Sequence, residues 1–502
     1  MSTFDNHTSV LSGNSTTKNV GPTLLWFRRD LRLLDNPALY QAMKAGPVIA
    51  VYTLNDQQWH EHGVSDGQKG IIAARVLTLK DQLNKLSVPL IALHTSGYKH
   101  VPSQLVKLAK QYDCASIMFN HEYEINERQL SDSVKRDAAH HSIAVQSFHD
   151  QCLIEPGQIL NKQSQPYKVF TAFKKAYLAE LRSKMRPIYG APTKHALQSN
   201  VQVQSDIRCV EEYLKNLSLD YELDLQLYAC EATAHEHLDE FCRHRVQNYQ
   251  QDRDLPAIDG TSQLSTFLAI GVLSVRQCYQ AVEVSGHKSR DGANTWVSEL
   301  IWRDFYRHLM YLYPRLCMHQ AFKQKTEALP WRHDEHVFLA WQQGQTGFPL
   351  VDAAMRQLNQ TGWMHNRLRM VAAMFLTKHL FIDWRLGEGY FMSRLLDGDL
   401  ASNNGGWQWS ASTGVDAVPY FRIFNPTRQS ERFDSTGLFI RQYVPELASL
   451  DNKSIHNPSN LQRKQLGYAQ PMVDHASAVK QTKAWFKQLD DTAVNQMSLE
   501  RV

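Results

Sequence analysis

No two cysteines in this chain stand in a CxxC pair. The seven present, at positions 114, 152, 209, 230, 242, 278 and 317, are scattered and odd in number. That argues against a disulfide framework and a structural zinc site; no metal centre is expected, and a reducing, cytoplasmic setting fits. No run of about 18 apolar residues occurs, so no membrane span is expected. Residues 1–21, MSTFDNHTSVLSGNSTTKNVG, lack the apolar stretch of a signal peptide and read as a disordered leader. The GxGxxG fingerprint of dinucleotide sites is missing. Excess charge is scarce too. The net value is +4 over 502 residues, so a polyanion would have to be gripped by individually placed arginines.

What is present is an ordinary globular composition, 43% hydrophobic and 21% charged, with 11 tryptophans. Five short apolar runs, TLLWF, VIAVYT, PLIALH, SIMFN and IAVQSF, begin at 23, 48, 89, 116 and 143. Helix-period segments such as GIIAARVLTLKDQLNKL separate them. That alternation predicts an α/β domain over 22–155 with a parallel, Rossmann-like sheet. Residues 156–230 are more polar and read as an interdomain connection. From 231 to 484 the period is helical almost throughout, which predicts an all-α second domain, followed by a tail at 485–502.

Two stretches in the helical half combine residue types that packing alone does not require. In NNGGWQWSAS, Trp407 and Trp409 lie two apart, about 200° around a helix. The indoles therefore point to opposite sides, and Gly405 and Gly406 let another group approach the backbone. A wall between two occupants is one reading; two core aromatics at a tight contact is the other. In TWVSELIWRDFYRHL, Glu299, Trp302, Arg303 and Tyr306 share one face while Leu300, Ile301, Phe305 and Leu309 cover much of the rest. A carboxylate on so apolar a helix faces a cavity or a partner, unless it pairs with Arg303 one turn on. DGTSQLS sets Thr261 and Ser262 at an apparent helix start, where they either cap the helix or hold phosphate.

These segments, with LLWFRRDLRLLDNPAL, TGWMHNRLRM, DGDLASNN and YFRIFNPTRQSERFD, resemble the photolyase/cryptochrome family. The nearest likeness is to its class I cyclobutane pyrimidine dimer photolyases, and it runs from residue 22 to 484. The resemblance implies an α/β antenna-binding domain followed by an all-α FAD-binding domain. Tyr249, Thr261, Ser262, Gln263, Leu264 and Ser265 match the segment on the phosphate side of FAD. Asp397, Gly398 and Asp399 match the flavin-contacting segment, Arg369 matches the arginine that pairs with the first of them, and Asn403 matches the residue facing flavin N5.

The resemblance further implies light-driven repair of cyclobutane pyrimidine dimers in DNA, the dimer being flipped out of the duplex. Trp302 and Trp409 match the flanking indoles, Asn366 and Met370 match pocket residues, and Glu299 matches the glutamate that hydrogen-bonds the dimer. Trp407, Trp384 and Trp331 match a tryptophan chain that re-reduces the flavin. Arg253, Arg367, Arg422 and Gln429 match positions at the DNA backbone, where Tyr306 is also placed; Arg303 serves either DNA or flavin phosphate.

His62, Asn126, Glu127 and Cys317 match the contacts of a folate antenna, 5,10-methenyltetrahydrofolate. Met318 stands where lysine is frequent, and 8-hydroxy-5-deazaflavin in the α/β domain is the rival antenna. The implied partner is UV-damaged DNA, and a monomer is expected. A blue-light receptor of the cryptochrome type is the competing reading, disfavoured by Asn403, Met370 and the Trp302/Trp409 pair. A (6-4) photolyase would want pocket histidines, and only His365 is adjacent.

Overall fold

The computed structural model describes residues 21–183, 188–194, 202–287 and 290–499. The expected leader, apart from Gly21, lies outside the described residues. Five strands form one sheet in the order β3-β2-β1-β4-β5, every neighbouring pair parallel. They are β1 (Thr23–Phe27), β2 (Val48–Leu54), β3 (Leu90–His94), β4 (Ser116–Asn120) and β5 (Ala144–Phe148). Each coincides with an apolar run in the sequence. β1 is central, with Trp26 opposite Val51 on one side and Phe119 on the other. β1, β2 and β4 are buried at every position, so they read as continuous apolar runs rather than alternating ones.

The interval 156–230 is more than a link. It holds the helices Phe170–Ser183, Arg208–Asn216 and Leu225–Ala229. Asp206 also hydrogen-bonds along the edge of β3, from Ala92 N to Asp206 O at 2.7 Å and from Asp206 N to Leu90 O at 2.9 Å. An uncovered edge would leave those backbone groups unpaired. The polarity of the segment reflects its surface position, not a lack of structure.

Beyond it the chain is helical, and the 22-residue helix Asp291–Leu312 packs against helices Phe170–Ser183, Val275–Val284 and Leu400–Ala411. One expected helix start moves. The helix after DGTSQLS is Ser265–Ile270 with Leu264 at its N-cap, because Gln263 takes a left-handed φ of 52°. Thr261 and Ser262 lie in the turn before it. The last helix, His475–Leu499, runs through position 484 without a break, so 485 does not begin a loose tail. Trp485 stacks on Phe381 at 3.7 Å and Phe486 on Tyr420 at 5.2 Å, which docks it. Among the described residues no helix is long and apolar enough to cross a membrane.

Buried charge joins the two halves. Asp35 and Asp150, 0% and 2% exposed, both receive the guanidinium of Arg276 from the helical half, at 2.9 and 2.7 Å, and Arg32 also pairs with Asp150. Burial pushes the Asp150 carboxyl up, but Arg32 and Arg276 outweigh it and hold it at about 2.

Candidate active site

Between Trp296 and Met310 only Glu299, Trp302, Arg303 and Tyr306 are not fully buried. All four line a cavity of about 440 Å³. The simple pairing of Glu299 with Arg303 does not occur. Glu299 Oε1 accepts instead from Arg253 Nη1 at 2.5 Å, while Arg303 Nη1 donates to the Gln151 carbonyl at 2.6 Å.

The other walls come from separate elements. Helix Asn366–Lys378 supplies Asn366, Arg369 and Met370, and helix Leu400–Ala411 supplies Ser402, Gly406 and Trp409, with Asp397 and Asp399 just ahead of it. The glycine pair has two separate uses. A Cβ on Gly405 would fall 2.2 Å from the Tyr306 ring, so glycine lets the two helices meet; one on Gly406 would meet nothing within 4 Å, and that position borders the cavity.

The two indoles divide as their spacing requires. Trp409 lines the cavity. Trp407, 2% exposed, packs over Gly387 and lies 4.9 Å from Phe391 and 6.0 Å from Trp341. Trp384 is fully buried in the same apolar cluster, and Trp331 sits half-buried at its edge, 4.8 Å from Phe381.

Two guanidinium–carboxylate pairs border the cavity. Arg369 Nη2 meets both Asp397 oxygens at 3.1 and 2.8 Å. Arg307 grips Asp399 in a fork, at 3.1 and 2.7 Å, with both side chains buried. Burial pushes Asp399 up, yet Arg307, Arg303 and the Ser402 hydroxyl together bring it down to about 2. Arg307 was not expected, though it falls one turn beyond Arg303 on nearly the same face. Tyr249, Ser262, Leu264 and Ser265 complete this side, and burial together with Glu299 pushes the Tyr249 phenol up. The set suits FAD: hydroxyls and guanidinium groups for phosphate and ring, aromatic and apolar walls, and a buried Arg307 Nε with no hydrogen-bond partner among the described residues.

Other expected residues stand off the cavity. Thr261 gives its carbonyl to Arg245 at 3.1 Å, Gln263 donates to Asp259 at 3.0 Å, and Gly398 gives its carbonyl to Gln68 at 2.9 Å. Asn403 donates Nδ2 to the Glu388 carbonyl at 3.0 Å, which fixes the amide's orientation. Arg367 pairs with Asp254 at 2.7 Å, Arg422 is exposed, and Gln429 lies on helix Pro426–Phe433. His365 is buried, accepts the Arg367 N–H at its Nδ1, and is pushed down to about 4 by burial.

The antenna candidates do converge. His62 Nε2 lies 3.2 Å from Asn126 Nδ2, His62 Nδ1 lies 3.8 Å from Glu127, and Tyr98 donates to Glu127 at 3.0 Å. Burial, with Glu124 and Glu122 nearby, pushes Glu127 up to about 7, and burial pushes the Cys317 thiol to about 12. Cys317 also feels the backbone of Ile125, next to Asn126.

Residues 23–194 match a family model described as DNA photolyase, and residues 296–488 match the FAD binding domain of DNA photolyase. A deoxyribodipyrimidine photo-lyase of Salmonella typhimurium is 44% identical over 466 residues, covering 91% of this chain and 96% of that protein. The chain belongs to the DNA photolyase family. Among solved structures, a bacterial class III photolyase from Agrobacterium tumefaciens matches with a TM-score of 0.83 and 32% identity, covering 96% of this chain and 100% of that one. An archaeal photolyase from Sulfolobus tokodaii, described with two FAD molecules, matches with a TM-score of 0.77 and 29% identity over 93% and 100%. These photolyase relatives thus span both the sheet and the helical half.

Proposed function

We propose that this photolyase repairs cyclobutane pyrimidine dimers in DNA as a light-driven deoxyribodipyrimidine photo-lyase. The observation that carries the reading is the cavity in which Trp302 and Trp409 stand with Glu299, Asn366 and Met370, directly beside the charged set that suits FAD. Held by the charged set, reduced FAD would on excitation lend one electron to the dimer and recover it once the two bonds joining the rings have broken, leaving the reaction redox-neutral. The chain's own residues do the rest. Trp302 and Trp409 give flat walls on which an extruded pyrimidine pair stacks. Glu299, held by Arg253, presents a fixed carboxyl to the pyrimidine edge. Arg307 and Arg369, each fixed on a carboxylate, set positive charge along the FAD side. Asn403, with one amide hydrogen committed to Glu388, would keep its other hydrogen and its oxygen for the flavin nitrogen that the family likeness implies. Trp407, Trp384 and Trp331 form the inward route for re-reduction. Arg367, Arg422 and Gln429 lie outside the cavity, as residues gripping phosphate would.

For the antenna, the reading is folate at His62, Asn126, Glu127 and Cys317. The void bordered by Arg28, Arg29, Trp59 and His62, with Ala269 and Ile270 from the helical half, is only about 60 Å³, well under the roughly 300 Å³ where ligand pockets begin; an antenna ring of either kind would have to lie outside it or open it. The proposed units are 22–155 and a helical half from 231 through the helix His475–Leu499, joined by 156–230. All seven cysteines are unpaired, which supports a cytoplasmic, reducing setting, and a monomer is the reading for the assembly.

The test is repair of a thymine-dimer oligonucleotide by dithionite-reduced holoprotein under near-UV light, with a dark control. Light-dependent recovery of thymine absorbance is expected. Binding of dimer no tighter than intact DNA, with no recovery, would overturn the reading in favour of a photoreceptor.

A further inference from the structure

Phe170 opens the helix Phe170–Ser183 in the interval between the two halves, outside the motifs of the cavity. Its ring stacks on Trp302, 3.6 Å between centroids and 9° between planes, so one face of that indole is covered. Its backbone N–H donates to Asp416 Oδ2 at 2.9 Å, in the turn that follows the helix carrying Trp409. One residue thus contacts both the helix carrying Trp302 and the turn that follows the helix carrying Trp409. Further along the same helix, Phe173 lies 4.9 Å from Phe305, Lys174 Nζ donates to Ser298 at 2.5 Å, and Tyr177 donates to Asp304 at 2.5 Å. These positions share a helical face, and that face is pressed along helix Asp291–Leu312.

We propose that Phe170 is a positioning residue of the lesion pocket. By closing the back of Trp302 and tying itself to Asp416, it sets the tilt of one indole and its separation from the other. An indole with two free faces would lose rotamer freedom on binding; one already stacked loses little, and affinity gains by that difference. Only the other face of Trp302 then remains for a ligand, so this indole can meet one ring of the pyrimidine pair. The inference rests on the reading of Trp302 and Trp409 as pocket walls.

The experiment is a double-variant cycle in full-length holoprotein, reading affinity for a thymine-dimer oligonucleotide, affinity for the undamaged duplex, FAD content and repair rate at saturating dimer. Phe170→Ala is expected to weaken dimer binding roughly three- to tenfold, the scale of one aromatic pair. Undamaged-DNA binding, FAD content and saturated repair rate should stay unchanged. In a Trp302→Ala background the same change should cost nothing further. An equal loss in both backgrounds, or none in either, overturns the proposal. If Trp302→Ala itself leaves dimer binding intact, it is the pocket-wall reading that fails, and the two failures are distinguishable. Phe170→Leu keeps the buried volume without a flat ring. Should Phe170→Ala lose its FAD, the leucine variant carries the same expectations and the same refuting results.

Discussion

Replacing Arg307 by methionine removes one partner of the buried Arg307–Asp399 pair at the cavity. Arg307 and Asp399 are 3% and 7% exposed and meet through two hydrogen bonds of 3.1 and 2.7 Å. The substitution keeps most of the side-chain volume and removes the cation, leaving a carboxylate buried without its partner. Breaking such a pair costs about 3–5 kcal/mol. Linkage gives a second estimate. Asp399 is held at about 2 against an ordinary 3.8, which corresponds to about 2 kcal/mol of preference for the charged form. The folded value is the lower one, so this contribution is complete above the unfolded value, near 4, and is lost as pH falls through about 2. At pH 7 the variant lacks the Arg307 share of it, with Arg303 and Ser402 still beside the carboxylate, and for a chain of this length a fall in Tm of about 2–5 °C is expected. Melting of the holoprotein, with FAD release followed by fluorescence, reads it. The partner change Asp399→Asn made in the Arg307→Met background should restore part of the loss, because the stranded charge is gone. If Arg307→Met costs under about 1 kcal/mol, or the double variant is no more stable than the single, the pair does not carry the weight assigned to it.

Trp331→Phe should block photoreduction of oxidised flavin while sparing repair by protein already reduced with dithionite; repair lost in both assays would remove Trp331 from that route. Glu127, raised to about 7, keeps its proton when folded through a range where the unfolded chain, near 4.5, releases it. Wild-type stability should therefore fall between those values, and Glu127→Gln should gain relative Tm from pH 5 to 7.5; a constant difference would refute the assignment. Arg422→Ala should weaken binding to damaged and undamaged DNA alike and lower the slope of log affinity against log salt by about one. A loss confined to dimer-containing DNA would place Arg422 in the pocket instead.

The sheet was legible because its central strands are buried on both sides and so appear as unbroken apolar runs. The cavity face of helix Asp291–Leu312 was legible because helical period alone puts Glu299, Trp302, Arg303 and Tyr306 together. Less accessible were facts set by distant partners. Nothing local announces that Glu299 will choose Arg253 over Arg303, or that Phe170, 132 positions before Trp302, will lie flat on it. The turn at Thr261–Gln263 resembled a helix start by composition, and only the left-handed backbone at Gln263 delays the helix to Ser265. The edge of β3 is completed by Asp206, a residue from a stretch too polar to suggest a sheet contact.

The Asp35–Arg276–Asp150 junction bears on how the molecule is made. A chain emerging from the ribosome finishes its five strands at Phe148, while the guanidinium that both carboxylates share is still 128 residues from synthesis. Until then Asp35 has no arginine side chain and Asp150 has only Arg32. Desolvating carboxylates so incompletely matched is costly, so the nascent sheet should keep that surface hydrated and unlocked. Its final closure then waits for the first helices of the second half. Translation order, rather than the sheet's own pairing, would time the last step of its folding.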